Sequence, residues 1–292
     1  MYSISSIRAD PCLDQGFFDA DFQKYACSVP EVTLERIQFI ALVNLIVAVV
    51  KNVDDFCPDD HTIPGWYEFT RAEHLLNHII KSGKGNLGTM QCLILKASYL
   101  LYIERNDWAY DEIGTAVRLC FQTGLHNQRS WADQSPLQIH MRQRIFWCIY
   151  CLERNISHQC GAPYQMNDRD IAVELPYDGG GEGASFGADE SGFSSITYQL
   201  ATIKWARVCS DMWDAMFRVN SRPPTTEIVA VTDARILLLI EELPIHLRWS
   251  TDFLKNAVEL QHPHYVVRQA IVLHLVSHTL LEPEKNNAES SC

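Results

Sequence analysis

Positive charge is scarce in this sequence. Its 292 residues include 24 Lys and Arg against 36 Asp and Glu, which gives a formal net charge of -12 at pH 7. Such a chain repels the phosphate backbone of nucleic acids, because binding there depends on lysine and arginine side chains that neutralise phosphates. The composition therefore does not predict a nucleic-acid-binding surface on this chain.

The features of a secretory leader and of a membrane span are also lacking. Residues 1–10 contain no basic stretch followed by an apolar one. The longest apolar run, 37–50, includes Gln38 and Asn44 and falls short of the ~20 residues that a bilayer span needs. We expect a buried helix there, no membrane partner, and ten cysteines that are thiols in a reducing compartment.

Strand patterns are missing too, because alternation of apolar and polar residues nowhere persists between turn signals. Apolar residues instead recur at steps of three and four, which is typical of helices. The sequence therefore predicts an all-α fold, a multi-helix bundle of stacked antiparallel helix pairs. The predicted helices cover residues 34–53, 65–81, 89–103, 107–123, 136–158, 196–217, 227–243 and 265–281.

Several helix ends are marked in the sequence. Asp107 is predicted to cap one helix, and Gly124 is predicted to end it in a left-handed conformation. Ser135-Pro136-Leu137-Gln138 combines a capping box with a proline at the first helical position. The helix that begins there is expected to end before Gly161 and Pro163.

One stretch interrupts the helical pattern. The glycines and acids of "DGGGEGASFGADESG", residues 178–192, cannot bury enough apolar surface to become ordered. The predicted organisation is a regulatory core at 1–178, a flexible insertion at 179–194, a C-terminal helical part of the same domain at 195–282 and a disordered tail at 283–292.

Two short motifs match enzyme signatures without the structural context that they require. Gly83, Gly85 and Gly88 match G-x-G-x-x-G, but a helical pattern precedes them where a nucleotide site needs a strand. Ser185 lies in a G-x-S-x-G match that lacks the flanking strand and helix of a nucleophile elbow. We therefore predict that the three glycines belong to an inter-helix loop and that the match at Ser185 is accidental. We predict no catalytic residues and no enzymatic activity. A serine hydrolase using Ser185 is a remote alternative that a serine-directed probe would reveal.

Residue types that bind metals occur in pairs, but no pair completes a ligand set. Two histidine pairs are spaced by one helical turn, His74 with His78 and His274 with His278. Neither pair has the H-E-x-x-H order or an identifiable third ligand. Asp168 and Asp170 lie in a loop, where aspartates commonly make turns. We predict surface or half-buried histidines and turn-forming aspartates.

The stretch "FWCIYCLERNISHQCGAP", residues 146–163, contains a C-x-x-C pair. A redox pair begins at a helix N-terminus, whereas Cys148 lies about three turns inside its predicted helix. Haem attachment needs a histidine where Leu152 stands. A zinc set of Cys148, Cys151, His158 and Cys160 is crowded by aromatic and aliphatic neighbours. We predict buried thiols in a core helix, with no metal or cofactor in this chain.

The order of several motifs carries more information than any single one. A Q-x-L-type helix near residue 91 precedes a Trp-Gly-Ala-Arg helix that ends in Gly-Leu-His, followed by "HMRQRIFWCIYCLERNISHQCGAP" and "NDRDIAVELP". On these motifs, which span about residues 37–176, the chain resembles the fungal-specific transcription factor domain, the middle homology region of binuclear zinc-cluster transcription factors. The residues at the family's motif positions are Trp108, Gly114, Gly124, His126, Arg142, Arg144, Trp147, Tyr150, Glu153, Arg154, Gly161 and Pro163.

The sequence departs from the family pattern at four positions. His140 replaces an acid, Gln143 an arginine, Glu153 an aspartate and Ala162 an arginine. We still expect Glu153 and Arg154 to pair and to fix the helix at 136–158 to its neighbours, because charges embedded in an aromatic helix need partners.

The resemblance implies an all-helical regulatory domain of a nuclear factor that controls RNA polymerase II transcription of a metabolic or biosynthetic gene set. It implies that DNA binding and zinc binding are functions of a six-cysteine module, which is missing from this sequence or lies on a separate chain. Transcriptional co-regulators are the implied partners, while a small-molecule effector, a homodimer and the sign of regulation stay open. The alternative is a helical protein-interaction module with no direct DNA role.

Overall fold

The structure is a computed structural model of the chain, and it describes residues 10–26, 32–54, 63–83, 85–132, 134–177, 193–219 and 225–289. Within these ranges the chain forms ten α-helices and no β-strand, which confirms the all-α class. The helices divide into two compact units, Met1–Tyr177 and Asp178–Cys292. Residues 178–192, most of the predicted insertion and with them Ser185, lie outside the described ranges.

The described residues of the first unit form six helices and two short 3₁₀ turns. The helices are α1 (Gln15–Ala26), α2 (Leu34–Asp54), α3 (Trp66–Lys81), α4 (Leu87–Tyr102), α5 (Asn106–Gln122) and α6 (Pro136–Cys160), and the 3₁₀ turns are Gln128–Ser130 and Asp168–Asp170. The central helix is α4, whose buried residues face neighbours on several sides: α2 packs against α3 and α4, while α4, α5 and α6 pack against one another.

The apolar helix α2 is long and apolar enough, over Leu34–Val53, to cross a membrane by length and composition alone. A core helix of a globular protein passes the same test. Here Ala41, Leu45 and Ala48 are completely buried, and the helix packs on α3 and α4. These contacts agree with the predicted buried helix.

The ends of α6 follow the sequence signals. The Ser135 hydroxyl accepts the Gln138 N–H, the Gln138 side chain accepts the Ser135 N–H, and Pro136 is the first helical residue. Gly161 adopts a φ of 60° directly after the helix, a conformation that glycine reaches without strain. Both predicted ends are confirmed.

The start of α5 differs from the prediction. Asp107 does not cap this helix, because the helix begins one residue earlier and places Asp107 inside its first turn. The N-cap is Arg105, whose side chain makes no capping bond. The tight turn from α4, with Glu104 at a φ of 59°, sets this start. Gly124, with a φ of 71°, ends the helix as predicted.

In the second unit, residues 193–219 and 225–289 form four helices. Its helices are α7 (Ser195–Met212), extended by a π-helical turn at Trp213–Phe217, then α8 (Thr226–Glu241), α9 (Phe253–Glu259) and α10 (His264–Glu289), with a 3₁₀ turn at Ile245–Leu247. The helix α10 packs against α7, α8 and the 3₁₀ turn. A small core joins Phe253, Ala257 and Ala270.

Two helices have no counterpart among the predicted ones, namely α1 and α9. In addition, the helical backbone of α10 includes residues 283–289, which belong to the predicted disordered tail. The Glu, Lys and Ala residues of this stretch are good helix formers by intrinsic propensity.

Candidate functional site

The chain reverses direction after α6. The N–H groups of Gly161 and Ala162 donate to the carbonyls of His158 and Ser157, at 3.1 and 2.9 Å. The left-handed backbone at Gly161 then directs residues 163–177 back along the helix. We call residues 163–177 the return segment.

The return segment is held along the length of α6. Successive positions of the return segment contact α6 residues that lie progressively nearer the start of the helix, so the two run antiparallel. The contacts join Arg154 to the Met166 carbonyl at 2.8 Å, Trp147 Nε1 to the Glu174 carbonyl at 2.9 Å, and His140 Nε2 to the Tyr177 carbonyl at 3.1 Å. Each of these α6 side chains thereby donates a hydrogen bond to a carbonyl of a segment that, outside its 3₁₀ turn, lacks the regular backbone hydrogen bonds of a helix.

Arg154 is the centre of the site. Its side chain is only 2% exposed, and its guanidinium donates to Asp168 Oδ1 at 2.8 Å and to Glu153. The Tyr150 and Tyr164 rings both pack against the guanidinium, with centroids 4.3 and 4.2 Å away. Planar stacking together with forked hydrogen bonds is a geometry that suits arginine and that lysine cannot reproduce.

Glu153 lies beside this guanidinium with no exposed side-chain surface. It also accepts hydrogen bonds from the Ser157 hydroxyl, at 3.3 Å, and from the Gln165 N–H. Burial raises the pKa of Glu153, against the opposing effects of Arg154 and these donors. The carboxylate is thus tied to its helix and to the return segment at once.

The charge of Arg154 is set by its surroundings. Burial alone would lower the pKa of Arg154, but Glu153, Tyr150 and Asp168 outweigh it and hold the pKa above the ordinary value. The Tyr150 hydroxyl donates to Asp168 at 3.0 Å. The predicted pairing of Glu153 with Arg154 is therefore present, and through Asp168 it fixes α6 to the return segment.

The other helix of the family motif reaches the same segment. A Cβ added at Gly114 on α5 would lie 2.8 Å from the Gln165 side-chain nitrogen, so this glycine allows close packing. The Tyr110 hydroxyl donates to the Pro163 carbonyl at 2.8 Å. The His126 carbonyl accepts the Ala172 N–H at 2.9 Å. Residues on α5 or just after it thus contact residues of the return segment that lie about fifty positions later in the sequence.

Three motif side chains, and the backbone of Gly124 at the end of α5, lie away from the return segment. Trp108 is half exposed and contacts the Trp66 ring, with centroids 6.3 Å apart. Arg142 covers the Trp131 ring at 5.7 Å. Arg144, buried to 2% exposure, binds residues near the N-terminus.

No group of three or more metal-ligating side chains is found in the part of the chain that the structure describes. His74 and His78 are exposed, as predicted, and His274 stacks on Trp249. Gly83 and Gly85 lie between α3 and α4, whereas Gly88 lies in the first turn of α4. The glycine pattern is thus an inter-helix connection, as predicted.

The thiols of the C-x-x-C pair are less buried than predicted. Cys148, Cys151 and Cys160 are half-buried, whereas Cys92 and Cys120 are fully buried. The reason is that the apolar face of α6 is centred on its aromatic residues and leaves the cysteines at its edge. Burial raises the pKa of Cys92 to about 12 and that of Cys120 further, which keeps both thiols neutral.

Asp168, Tyr164 and Glu174 belong to the site but were not predicted as members from the sequence. Asp168 does lie in a turn, as predicted, and this turn is 3₁₀-helical, but Asp168 also pairs with Arg154. The available signal was the stretch "NDRDIAVELP" directly after Gly161 and Pro163, since a chain reversal at a glycine places the next residues against the helix just completed.

Comparison with known proteins identifies the class. A family model described as the fungal specific transcription factor domain matches residues 51–229, which is more than half of the chain. The chain therefore belongs to the fungal specific transcription factor domain family, and it is a regulatory domain of a fungal transcription factor. No solved structure matches it.

Curated relatives carry compatible names. An ABC-transporter-regulating transcription factor of Aspergillus fumigatus is 21% identical over 81% of this chain and 26% of its own length. The transcriptional activator protein acu-15 of Neurospora crassa is 26% identical over 55% of this chain and 18% of its own length. A negative regulator of pleiotropic drug resistance of Candida glabrata is 30% identical over 31% of this chain and 9% of its own length. The chain thus spans about a quarter or less of these relatives.

Proposed function

We propose that this domain restrains or licenses transcriptional activation in the nucleus, while a zinc-cluster module on another segment or chain contacts DNA. The observation that carries the proposal is the family match over residues 51–229. The net charge of -12 supports a role away from the DNA backbone. RNA polymerase II genes of metabolism or biosynthesis are the proposed targets, and transcriptional co-regulators the proposed partners.

The buried network supports a regulatory role in physical terms. Buried ion pairs contribute little net stability, but in several systems they select one conformation over its competitors. In this chain Glu153, Arg154 and Asp168 join α6 to the return segment. A regulatory domain needs a defined conformation that partners distinguish from another, and this junction supplies one.

A reporter assay in a fungal host tests the proposal. The full chain is placed between a heterologous DNA-binding module and an activation segment, without an added nuclear import signal. We expect reporter output to change at least threefold relative to the fusion without the chain. Arg154→Met should abolish that change, because it opens the network. Arg118→Met is the matched control, since Arg118 is exposed and bonds only Thr115 of its own helix among the contacts described.

Equal output with and without the chain would refute a regulatory role for the domain in this setting. A fusion that is stably expressed but stays outside the nucleus would favour the helical interaction module without a DNA role. If Arg154→Met behaves like Arg118→Met, the network of Glu153 and Arg154 has no part in the regulation, whatever the chain itself does to reporter output.

A further inference from the structure

Residues 10–14, with the sequence Asp-Pro-Cys-Leu-Asp, lie between α4 and α6 and precede α1. We call them the N-terminal strap. Pro11, Cys12 and Leu13 are all buried, with Cys12 completely inaccessible and Leu13 6% exposed. A short non-helical stretch therefore fills a groove that two helices of the bundle line.

The groove binds the strap through its main chain. Arg144 Nε donates to the Pro11 carbonyl at 2.7 Å, and an Arg144 Nη donates to the Leu13 carbonyl at 2.5 Å. Gln91 Nε2 donates to the Cys12 carbonyl at 2.7 Å. Side chains of two helices thus bind three successive carbonyls. Bonds of this kind hold a peptide backbone whatever its side chains. The strap presents the three carbonyls from a turn, in which the Leu13 N–H donates to the Asp10 carbonyl at 3.1 Å and the Cys12 N–H donates to Asp10 Oδ1 at 3.0 Å.

The side chains of the strap add specificity. Arg144 also pairs with Asp14, at 3.2 Å. A guanidinium that is 2% exposed needs an acidic partner, because a buried cation without one is strongly disfavoured. The groove therefore selects three apolar residues followed by an acidic residue.

The strap is attached to the rest of the fold through a weakly buried helix. The aromatic residues Phe17 and Phe22 of α1 are 41% and 54% exposed. The ring contacts of α1 with α2 are those of Phe18 and Tyr25 with Phe39, at centroid distances of 5.5 and 5.4 Å. Release of the strap therefore does not require the other helices of the unit to separate.

We propose that the groove between α4 and α6, with Arg144 and Gln91 as its binding groups, is a peptide-binding site, and that the strap occupies it as a built-in ligand. The partner is a protein segment of the same chemistry, a turn begun by aspartate, as at Asp10, that presents three apolar residues followed by aspartate or glutamate, and it displaces the strap. The proposal does not depend on the regulatory function described above.

The thiol of Cys12 reports strap release directly. Burial raises the pKa of Cys12 well above its ordinary value, and the Asp10 carboxylate adds to this effect. The docked thiol is therefore neutral and shielded from a maleimide reagent. Cys92 and Cys120 are equally inaccessible, so their labelling reports unfolding of the whole unit.

The experiment is maleimide labelling of the full chain, with each cysteine quantified by mass spectrometry. The probe is a synthetic peptide of residues 10–16 that carries C12S. We expect saturating peptide to raise the Cys12 labelling rate at least tenfold while Cys92 and Cys120 stay protected. A control peptide that also carries L13S and D14N should have no effect.

Variants of the groove complete the test. Arg144→Met should label rapidly at Cys12 without peptide and should not respond to peptide. Gln143→Ala is the matched control, because Gln143 is the buried neighbour on α6 and bonds Gln128 at 3.1 Å. If Arg144→Met exposes Cys92 and Cys120 as well, Gln91→Leu replaces it as the test variant.

Two results would overturn the proposal. If Cys12 is labelled only together with Cys92 and Cys120, at every peptide concentration, the strap is a permanent part of the fold. If Cys12 labelling without peptide varies with protein concentration, the strap exchanges with that of a second copy, and the assignment of a foreign peptide partner is wrong.

Discussion

Substitution of Arg154 by methionine isolates the energetics of the buried network. The change keeps the length and apolar stem of the side chain but removes its charge, leaving Glu153 with no exposed surface and without its cation. Breaking a buried pair in this way costs about 3–5 kcal/mol, because the remaining charge stays desolvated. For a unit of this size each kcal/mol shifts Tm by about 2–4 °C, so we expect a decrease of roughly 6–20 °C.

The double variant Glu153→Gln with Arg154→Met separates charge from packing. Replacing both members of a buried pair by neutral groups is often close to neutral for stability. We therefore expect the double variant to recover at least half of the stability that Arg154→Met loses. The resulting double-mutant cycle measures the coupling between the two positions.

The effect of Arg154→Met also depends on pH. Because burial raises the pKa of Glu153, the folded chain binds this proton more tightly than the unfolded chain does. The stabilisation that protonated Glu153 contributes is fully present below about pH 4.3, the pKa of a glutamate carboxyl in the unfolded chain. It is lost as pH rises through the higher pKa of Glu153 in the folded chain. Arg154→Met removes the cation that opposes the shift, so the variant should fall further below the native chain at neutral pH than at mildly acidic pH.

Urea unfolding monitored by pulsed thiol labelling of Cys92 and Cys120 is the suitable assay, since both residues belong to the first unit and are completely buried. An Arg154→Met deficit that does not change with pH, together with a double variant no more stable than Arg154→Met, would refute the buried-charge account. The loss would then be one of packing alone.

Three further predictions concern backbone and packing. Gly65→Ala should be far more destabilising than Gly161→Ala. Both glycines have positive φ, which costs alanine about 1–3 kcal/mol, but only at Gly65 would a Cβ lie 2.4 Å from a backbone carbonyl oxygen, that of Ala48. Equal losses of unfolding free energy for the two variants in urea would contradict this prediction. Ser135→Ala should cost about 0.5–2 kcal/mol by loss of the capping box, measured by amide exchange in the first turn of α6. Trp147→Phe removes the bond to the Glu174 carbonyl and should speed amide exchange in the return segment, with that of α4 unchanged.

The sequence was sufficient for the long helices and most of their ends. The apolar spacing of α2, α4 and α6 is regular over many turns, and Ser135, Gly124 and Gly161 mark ends through local backbone chemistry that needs no tertiary information. Helices such as α1 and α9 escaped prediction because α9 is only seven residues long and most of α1 is exposed. Such helices have little apolar periodicity to detect.

The candidate site was only partly predictable. Glu153 and Arg154 were expected to pair because two charges embedded in an aromatic helix need partners. Their third partner, Asp168, is fourteen positions further along the chain, and its place depends on how residues 163–177 fold back. The position of Arg144 against Pro11 and Leu13 depends on contacts across more than 130 positions, for which helical periodicity provides no information.

The antiparallel course of the return segment has a mechanical consequence. The segment ends at Tyr177, where the first unit ends, beside His140 in the first turns of α6. Tension applied to the chain beyond Tyr177 therefore loads the His140 contact first, then the contact of Trp147 and last that of Arg154. Contacts loaded one at a time give way at lower force than contacts loaded together, so a pull at this end would peel the segment off α6 from its weakest attachment towards its strongest.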